Sequence, residues 1–255
     1  AGAWGGGSSV GWGQGSTTPI ILPQKDWWFD NFDNDLVMNA RNGPIYYWAY
    51  DDTFSTSAVF LSSLPGATDV PDLAMQILVS QNDKHLVAFG STPFGGGAFD
   101  PLLIRWANQD DPLNWTPSPL NTAGFIRVSR GSKIVRALPT RQETLVWTDS
   151  HLYALQFTGT TDVFALQEYA DNISIVGPRA CASANSVTYW MGRDKFYAYT
   201  GRLESLPCTV RDHVFSDLNF FQADQVVAGT NEKFQEIWWF CPGGGSQVNN
   251  KYVVF

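Results

Sequence analysis

The sequence predicts an all-β chain with a propeller-like architecture made of successive antiparallel hairpins. Short runs of β-branched and aromatic residues alternate with Gly, Pro, Asn and Asp, a pattern typical of strands joined by tight turns. Aromatic residues make up 15% of the 255 residues, and they favour strands. The runs also recur at spacings near those of propeller blades, which repeat about every 40–50 residues. A β-sandwich or an ordinary meander is the alternative.

Five pairs of runs are predicted hairpins because each pair flanks a turn-forming segment. The pairs are 36–39 with 45–48, 85–89 with 102–106, 144–147 with 152–155, 187–190 with 196–199, and 237–240 with 252–255. The runs that start at Leu152 and Phe196 are alike and lie 44 residues apart. Large aromatic side chains inside strands favour the core, so the sequence predicts that six tryptophans pack there. They are Trp48, Trp106, Trp147, Trp190, Trp238 and Trp239.

The chain divides into an arm, residues 1–26, and a β domain, residues 27–255. Gly and Ser dominate the first 19 residues and disfavour regular structure there. Trp4 and Trp12 are the exceptions, and we expect them to anchor the arm. The chain starts without Met and stops within the apolar run 252–255, so we expect it to be part of a longer protein.

Charge and cysteine content argue against several classes of function. The formal net charge is −8, with 24 acidic and 16 scattered basic residues, whereas tight binding of nucleic acid needs clustered basic residues. Cys181, Cys208 and Cys241 are widely spaced and form no CxxC motif, which favours small buried thiols over a zinc or redox site. No apolar run approaches the ~20 residues of a membrane span, so we expect no membrane insertion.

Several blocks of sequence resemble a known family. The blocks are residues 28–37, 43–48, 100–106, 140–149, 170–178, 189–197, and 228–232 leading into 236–240. In this order, and over nearly all of the chain after the arm, they resemble tail structural proteins of tailed bacteriophages. The resemblance is to the nozzle, hub or DNA-stabilisation proteins of short-tailed phages.

This resemblance implies a structural function in the virion tail. It implies a propeller-like body, a ring of copies (often six), contacts with a head–tail adaptor, and a central channel for DNA ejection. Such a protein is made in the cytoplasm of the host bacterium. The resemblance carries over no catalytic residue and no cofactor.

The acidic balance fits passage of DNA without specific binding. A negative channel wall repels phosphates, so DNA slides rather than adheres. The candidate channel-facing acids are two loop pairs, Asp51 with Asp52 and Asp110 with Asp111.

The sequence carries no pattern that predicts an enzyme. Asp149, Ser150 and His151 are adjacent, but the members of a catalytic triad come from separate elements, so this cluster is predicted to be a turn. The acidic stretch 30–35 is the best metal candidate, with oxygen ligands that suit Ca²⁺. It lacks the Gly and the terminal Glu of an EF-hand loop, and a solvated turn is favoured.

Two other functions remain open on the sequence. A carbohydrate-binding or glycosidase propeller at a tail tip would use tryptophans on a β platform to stack against sugar rings. A cellular propeller scaffold would bind protein partners through its loops.

Overall fold

The protein is a five-bladed β-propeller. A computed structural model describes residues 26–160 and 162–255. In this part of the chain the strands form five antiparallel sheets, of which four have four strands and the fifth has three. Strands adjacent in sequence are also adjacent in each sheet, so every blade is a small meander. The predicted all-β, propeller-like fold class is therefore confirmed.

The blades follow one another along the chain. Blade 1 contains β1 (Trp27–Phe32), β2 (Asp35–Ala40), β3 (Ile45–Trp48) and β4 (Val59–Phe60). Blade 2 contains β5 (Ala74–Ser80), β6 (His85–Ser91), β7 (Asp100–Trp106) and β8 (Gly124–Arg127). Blade 3 contains β9 (Ile134–Pro139), β10 (Thr144–Thr148), β11 (His151–Phe157) and β12 (Phe164–Asp171).

The last two blades complete the described part. Blade 4 contains β13 (Cys181–Ala184), β14 (Val187–Met191), β15 (Phe196–Tyr199) and β16 (Leu203–Ser205). Blade 5 contains β17 (Val227–Asn231), β18 (Glu236–Cys241) and β19 (Lys251–Val254). A one-turn 3₁₀ segment follows β4 at Leu61–Ser63, and a longer, kinked one at Phe220–Gln225 precedes β17.

All five predicted hairpins are confirmed, and each is the second and third strand of one blade. Met38 pairs with Tyr46 in blade 1, and Trp190 pairs with Tyr197 in blade 4. The turn before β3 has Asn42 at a φ of 58°, a left-handed conformation that Asn tolerates better than most residues. The cluster of Asp149 and Ser150 is also a turn, between β10 and β11, as predicted.

The first strand of each blade lies towards the propeller axis. Strand β1 packs against β5, β5 against β9, and β13 against β17. The side chain of Gln76 in β5 joins two of these strands, because its Nε2 donates to the Ala137 carbonyl at 2.6 Å and its Oε1 accepts from the Ala137 N–H at 2.9 Å. The axis is therefore surrounded by contacts between blades.

Three buried clusters fill the spaces between consecutive blades. One joins blades 1 and 2, a second joins blades 2 and 3, and the third extends from blade 3 through blade 4 to blade 5. Trp147 of blade 3 meets Trp190 of blade 4 edge-on, with ring centres 5.3 Å apart. Among the described residues, no such cluster joins blade 5 to blade 1.

The prediction that six tryptophans lie in the core is right for four of them. Trp106, Trp147, Trp190 and Trp239 are buried. Trp48 and Trp238 are only partly buried, because they lie on the faces of blades 1 and 5 that no neighbouring blade covers.

One short helix, α1 (Arg211–Asp217), lies in the connection between blades 4 and 5. Its Val214 and Phe215 pack against the third cluster, and the Phe215 ring centre lies 5.3 Å from that of Phe196. In the described ranges, no helix has the length and apolar character needed to cross a bilayer.

Candidate interaction surfaces

Trp28 fills the centre of the propeller. Its indole Nε1 donates to the Met75 carbonyl of blade 2 at 3.0 Å. The guanidinium groups of Arg136 in blade 3 and Arg179 ahead of blade 4 lie over the same ring, 4.2 and 4.7 Å from its centre. Asp26 accepts a hydrogen bond from Arg179 Nε at 3.1 Å. Four blades therefore meet around one buried indole, and the axis is occupied by side chains at this level.

A buried carboxylate joins blades 3 and 4. Glu143 accepts hydrogen bonds from Gln156 Nε2 and from the Tyr169 hydroxyl, both at 2.7 Å, and also from the Tyr199 hydroxyl. Burial first, and then the contact with Glu143, raises the pKa of Tyr199 far above its usual value near 10. Both phenols are therefore neutral donors to one carboxylate, an arrangement that stabilises the interface between the blades.

His85 lies in a polar chain that the sequence did not reveal. Its Nδ1 lies 2.8 Å from Asp83 Oδ2 and its Nε2 lies 3.0 Å from Thr122 Oγ1. The order Asp, His, hydroxyl resembles a triad, but His85 is fully buried. The Thr122 hydroxyl also bonds to Asn108 Oδ1 at 3.0 Å and accepts from the Gln109 N–H at 2.8 Å. The chain therefore ties loops of blade 2 together.

The predicted channel acids lie in two corresponding loops. Asp51 and Asp52 are in the connection from β3 to β4, and Asp110 and Asp111 are in the connection from β7 to β8. Equivalent strands of successive propeller blades run in the same direction, so these two connections are at the same end of the molecule. Which surface faces DNA stays a prediction.

The four acids differ in how they are held. Asp51 accepts from the Thr53 and Ser55 hydroxyls, both at 2.7 Å, and from their N–H groups at 3.0 and 2.9 Å. These bonds, the hydroxyls first, hold the pKa of Asp51 well below its usual range. Asp110 pairs with Lys84 Nζ at 3.5 Å, and Asp111 accepts from the Leu113 N–H at 3.1 Å. Asp52 is exposed.

The acidic stretch 30–35 is the hairpin between β1 and β2, and its carboxylates diverge. Asp30 accepts from the Val79 N–H at 2.8 Å, Asp33 pairs with Lys84 at 2.9 Å, and Asp35 accepts from the Tyr50 N–H at 2.7 Å. Over residues 26–160 and 162–255, no group of three His, Cys, Asp or Glu side chains is placed to hold a metal ion.

Blade 1 has one apolar face that no neighbouring blade covers, here called the blade 1 face. Strand alternation places seven large side chains on it: Trp27, Phe29, Leu36, Met38, Tyr46, Trp48 and Phe60. Their rings touch in a row, with centres 6.2 Å apart for Trp27 and Phe29, 5.9 Å for Trp27 and Tyr46, and 4.9 Å for Tyr46 and Phe60. Phe29 is 62% exposed. The opposite face packs against blade 2.

Blade 5 has a similar uncovered side, the blade 5 face. Its side chains are Val227, Trp238, Phe240, Tyr252 and Val254. The Trp238 ring centre lies 5.0 Å from that of Tyr252 and 6.0 Å from that of Phe240. Tyr252 is 62% exposed. Ile237 and Trp239, on the other side of β18, are buried against blade 4.

Two surface grooves lie apart from these faces. A groove of about 680 Å³ lies between the rims of blades 2 and 3 and is lined by Phe125, Pro119 and Phe164. A second, of about 300 Å³, is lined by His213, Cys241 and Lys251 beside α1. Burial raises the pKa of the Cys241 thiol, which disfavours the reactive thiolate. Cys241 and His213 line the same groove, but no hydrogen bond joins them in the described structure.

Two sequence predictions fall on the arm. Trp4 and Trp12 lie outside the described residues, and their role as anchors stays a prediction. All three cysteines are free thiols, but the prediction that they are buried is right only for Cys241, since Cys181 and Cys208 are partly exposed.

Comparison with known proteins finds likeness of structure only. No protein-family model and no curated protein sequence matches the chain. The extracellular domain of a hybrid two-component system from B. thetaiotaomicron has a TM-score of 0.49 at 17% identity, over 85% of this chain and 26% of that one. Hsv2 of Kluyvelomyces marxianus has a TM-score of 0.44 at 11% identity, over 90% of this chain and 60% of that one.

A third solved structure is that of a functionally unknown protein from Desulfotomaculum acetoxidans. It has a TM-score of 0.39 at 11% identity, over 89% of this chain and 74% of that chain. The present chain thus spans about a quarter of the first protein and 60% of the second. Likeness at this level does not extend to function.

Proposed function

We propose that this propeller is a structural protein that works by assembly, as one subunit of a ring in the tail of a bacteriophage. The ring forms part of the nozzle or hub, contacts the head–tail adaptor, and surrounds the path of the ejected DNA. The resemblance of the sequence blocks to phage tail proteins supports the location, and the exposed aromatic surfaces support assembly.

The main support for the proposal is the exposure of the apolar blade 1 and blade 5 faces. Soluble monomers rarely leave large contiguous apolar patches exposed, and such patches mark sites of association. Here both patches consist mainly of aromatic rings, which are enriched at protein interfaces. The buried ionisable groups Glu143 and His85 are bonded to neighbouring side chains, so they act in packing rather than in chemistry.

The occupied axis decides where a DNA path would lie. Because Trp28 and the guanidinium groups of Arg136 and Arg179 fill the centre, duplex DNA does not pass through the propeller's own axis. In the proposed assembly the channel is instead the lumen of the ring. The end of the propeller that carries Asp51, Asp52, Asp110 and Asp111 is the candidate lumen surface.

The proposal is tested by imaging the assembled protein. The full chain is purified, its mass is followed as concentration rises, and the assembled species is reconstructed by electron microscopy. We expect a closed ring with a negatively charged lumen and no retention of duplex DNA at physiological salt, because the acidic groups of the lumen repel the phosphates.

Four results would contradict the proposal. A chain that stays monomeric at high concentration has no ring to form. A strongly positive lumen would retain DNA rather than release it. Specific capture of a glycan, measured on an array, would favour the carbohydrate-binding alternative, and a ring absent from virions would favour a cellular scaffold.

A further inference from the structure

Blades 1 and 5, the first and last described blades, each have one face that packs on no other described blade. In the described part of the chain, each interface between consecutive blades is filled by a buried cluster, but blades 1 and 5 share none. The blade 1 face therefore lies at the start of the series and the blade 5 face at its end. Within residues 26–160 and 162–255, neither face packs on another blade.

The chemistry of both faces matches that of the filled interfaces. None of the twelve side chains that define them is charged. Glu236 also lies on the blade 5 side of β18, where its Oε2 accepts a hydrogen bond from Trp238 Nε1 at 3.0 Å. Within the third cluster, aromatic rings meet in the same manner, as Phe196 meets Trp239 with ring centres 4.8 Å apart. A face of this composition is thus suited to pack on another blade face rather than on a charged or hydrated partner.

The exposed area is of the right order for a protein interface. An aromatic side chain buries about 150–250 Å² when fully covered, so one that is half exposed retains roughly 100 Å². Five rings and two aliphatic side chains on the blade 1 face then offer on the order of 500 Å². A stable interface buries about 800 Å² on each partner, and the surrounding loops can supply the remainder.

Blade 5 also ends on an open strand edge. Strand β19 pairs with β18 on one side, and no described strand pairs with its other side. Phe255 and Ile237 exchange two backbone hydrogen bonds at 2.9 Å, so strand alternation turns the N–H groups of Tyr252 and Val254 outward. Open edges of this kind promote association between chains.

We propose that the blade 1 face of one copy packs on the blade 5 face of the next copy. The two faces are different surfaces at opposite ends of one chain, so the contact is heterologous, and heterologous contacts form rings when the rotation closes. The succession of blades continues from copy to copy across this interface. This inference rests on the proposed function, because it names the surfaces that build the ring.

The test uses two matched variants of the full chain. Phe29→Asp places a charge on the blade 1 face and Tyr252→Asp places one on the blade 5 face, at side chains that are both 62% exposed. Phe221→Asp is the control, since Phe221 is 86% exposed and belongs to neither face. Circular dichroism and thermal unfolding establish that each variant folds, and Phe29→Ser and Tyr252→Ser replace any variant that does not.

A heterologous interface gives a distinctive result on mixing. Each variant alone should remain monomeric, with association weakened at least a hundredfold, because its one intact face has no intact partner. An equal mixture of the two variants should form a dimer, because the intact blade 5 face of Phe29→Asp can pack on the intact blade 1 face of Tyr252→Asp. The dimer should grow no further, because no second pair of intact faces remains. The control should assemble like the unchanged chain. Analytical ultracentrifugation measures the two variants, their mixture, the control and the unchanged chain.

Other outcomes separate this inference from the proposed function. If the unchanged chain does not assemble, the proposed function fails and this interface with it. If it assembles and both variants assemble equally well, the ring stands and this interface is overturned. If one variant alone forms dimers, the contact is between identical faces, and the head-to-tail arrangement is overturned.

Discussion

At the scale of single residues, some buried polar groups of this protein are held by partners from other blades. Glu143 accepts from Tyr199, which lies 56 positions later in the chain, and Trp28 donates to Met75, 47 positions later. A buried polar group without a partner costs about 1–3 kcal/mol, so these contacts favour one arrangement of the blades over others. These hydrogen bonds stabilise the contacts between blades.

Because its pKa is raised in the folded protein, Tyr199 should make the fold less stable at alkaline pH. Its pKa is raised in the folded protein, chiefly by burial, so its contribution is fully present below the unfolded pKa of about 10 and is lost as pH rises above it. We expect the free energy of unfolding to fall above pH about 10, and to fall less steeply in Tyr199→Phe. Urea unfolding at several pH values measures this.

The control for this measurement is Tyr252→Phe, because Tyr252 is exposed and bonded to no buried carboxylate in the described structure. It should retain the slope of the unchanged chain. An equal slope in Tyr199→Phe would show that Tyr199 does not carry the alkaline dependence.

At the scale of elements, each blade is a meander, and one irregular point in blade 2 depends on a glycine. In blade 2 the register of β6 against β7 shifts between Phe89 and Ser91, and the residue between them, Gly90, has a φ of 57°. A Cβ at this position would lie 2.5 Å from Met75 Sδ on the neighbouring strand. The bulge therefore requires a residue without a side chain.

We expect Gly90→Ala to destabilise the protein by about 3 kcal/mol, through backbone strain and overpacking against Met75. Gly95→Ala is the matched control: Gly95 also has a positive φ, 73°, but a Cβ there meets nothing within 4 Å. It should cost about 1 kcal/mol through strain alone. Denaturant unfolding compares the two, and equal losses would contradict a role for close packing at Gly90.

At the scale of the whole molecule, the described chain combines a packed centre with two exposed apolar faces. The contacts around Trp28 hold four blades at the centre, while the aromatic faces of blades 1 and 5 stay exposed. A net charge of −8 opposes the approach of two copies, whereas the apolar side chains of the two faces favour it. Assembly should therefore be governed by apolar contact working against charge repulsion.

Salt should strengthen the association. Raising ionic strength from about 0.01 M to about 1 M shortens the Debye length from roughly 30 Å to 3 Å, which screens the repulsion and leaves apolar contact intact. We expect the dissociation constant between copies to fall as NaCl is added, measured by sedimentation velocity. A constant that rises with salt would indicate that ion pairs, rather than the two faces, hold the copies together.

The amino-acid sequence by itself determined the strands, the hairpins and the class of fold. Alternating runs such as 36–39 and 45–48 place apolar residues on both sides of a sheet, and a turn such as Asn42–Gly43 ends a strand locally. These signals depend on near neighbours in the chain, so sequence reasoning recovers them. The predicted loop acids also lie in loops, although their role does not follow from position alone.

Only the tertiary structure decided which surfaces are covered. Trp48 and Trp190 have similar sequence surroundings, yet Trp190 lies between two blades and Trp48 lies on an open face. The partners of Glu143 and His85 are up to 56 and 37 positions away, which no local pattern encodes. Burial and polar pairing depend on how blades meet in space, and this meeting involves contacts between residues that are distant in the chain.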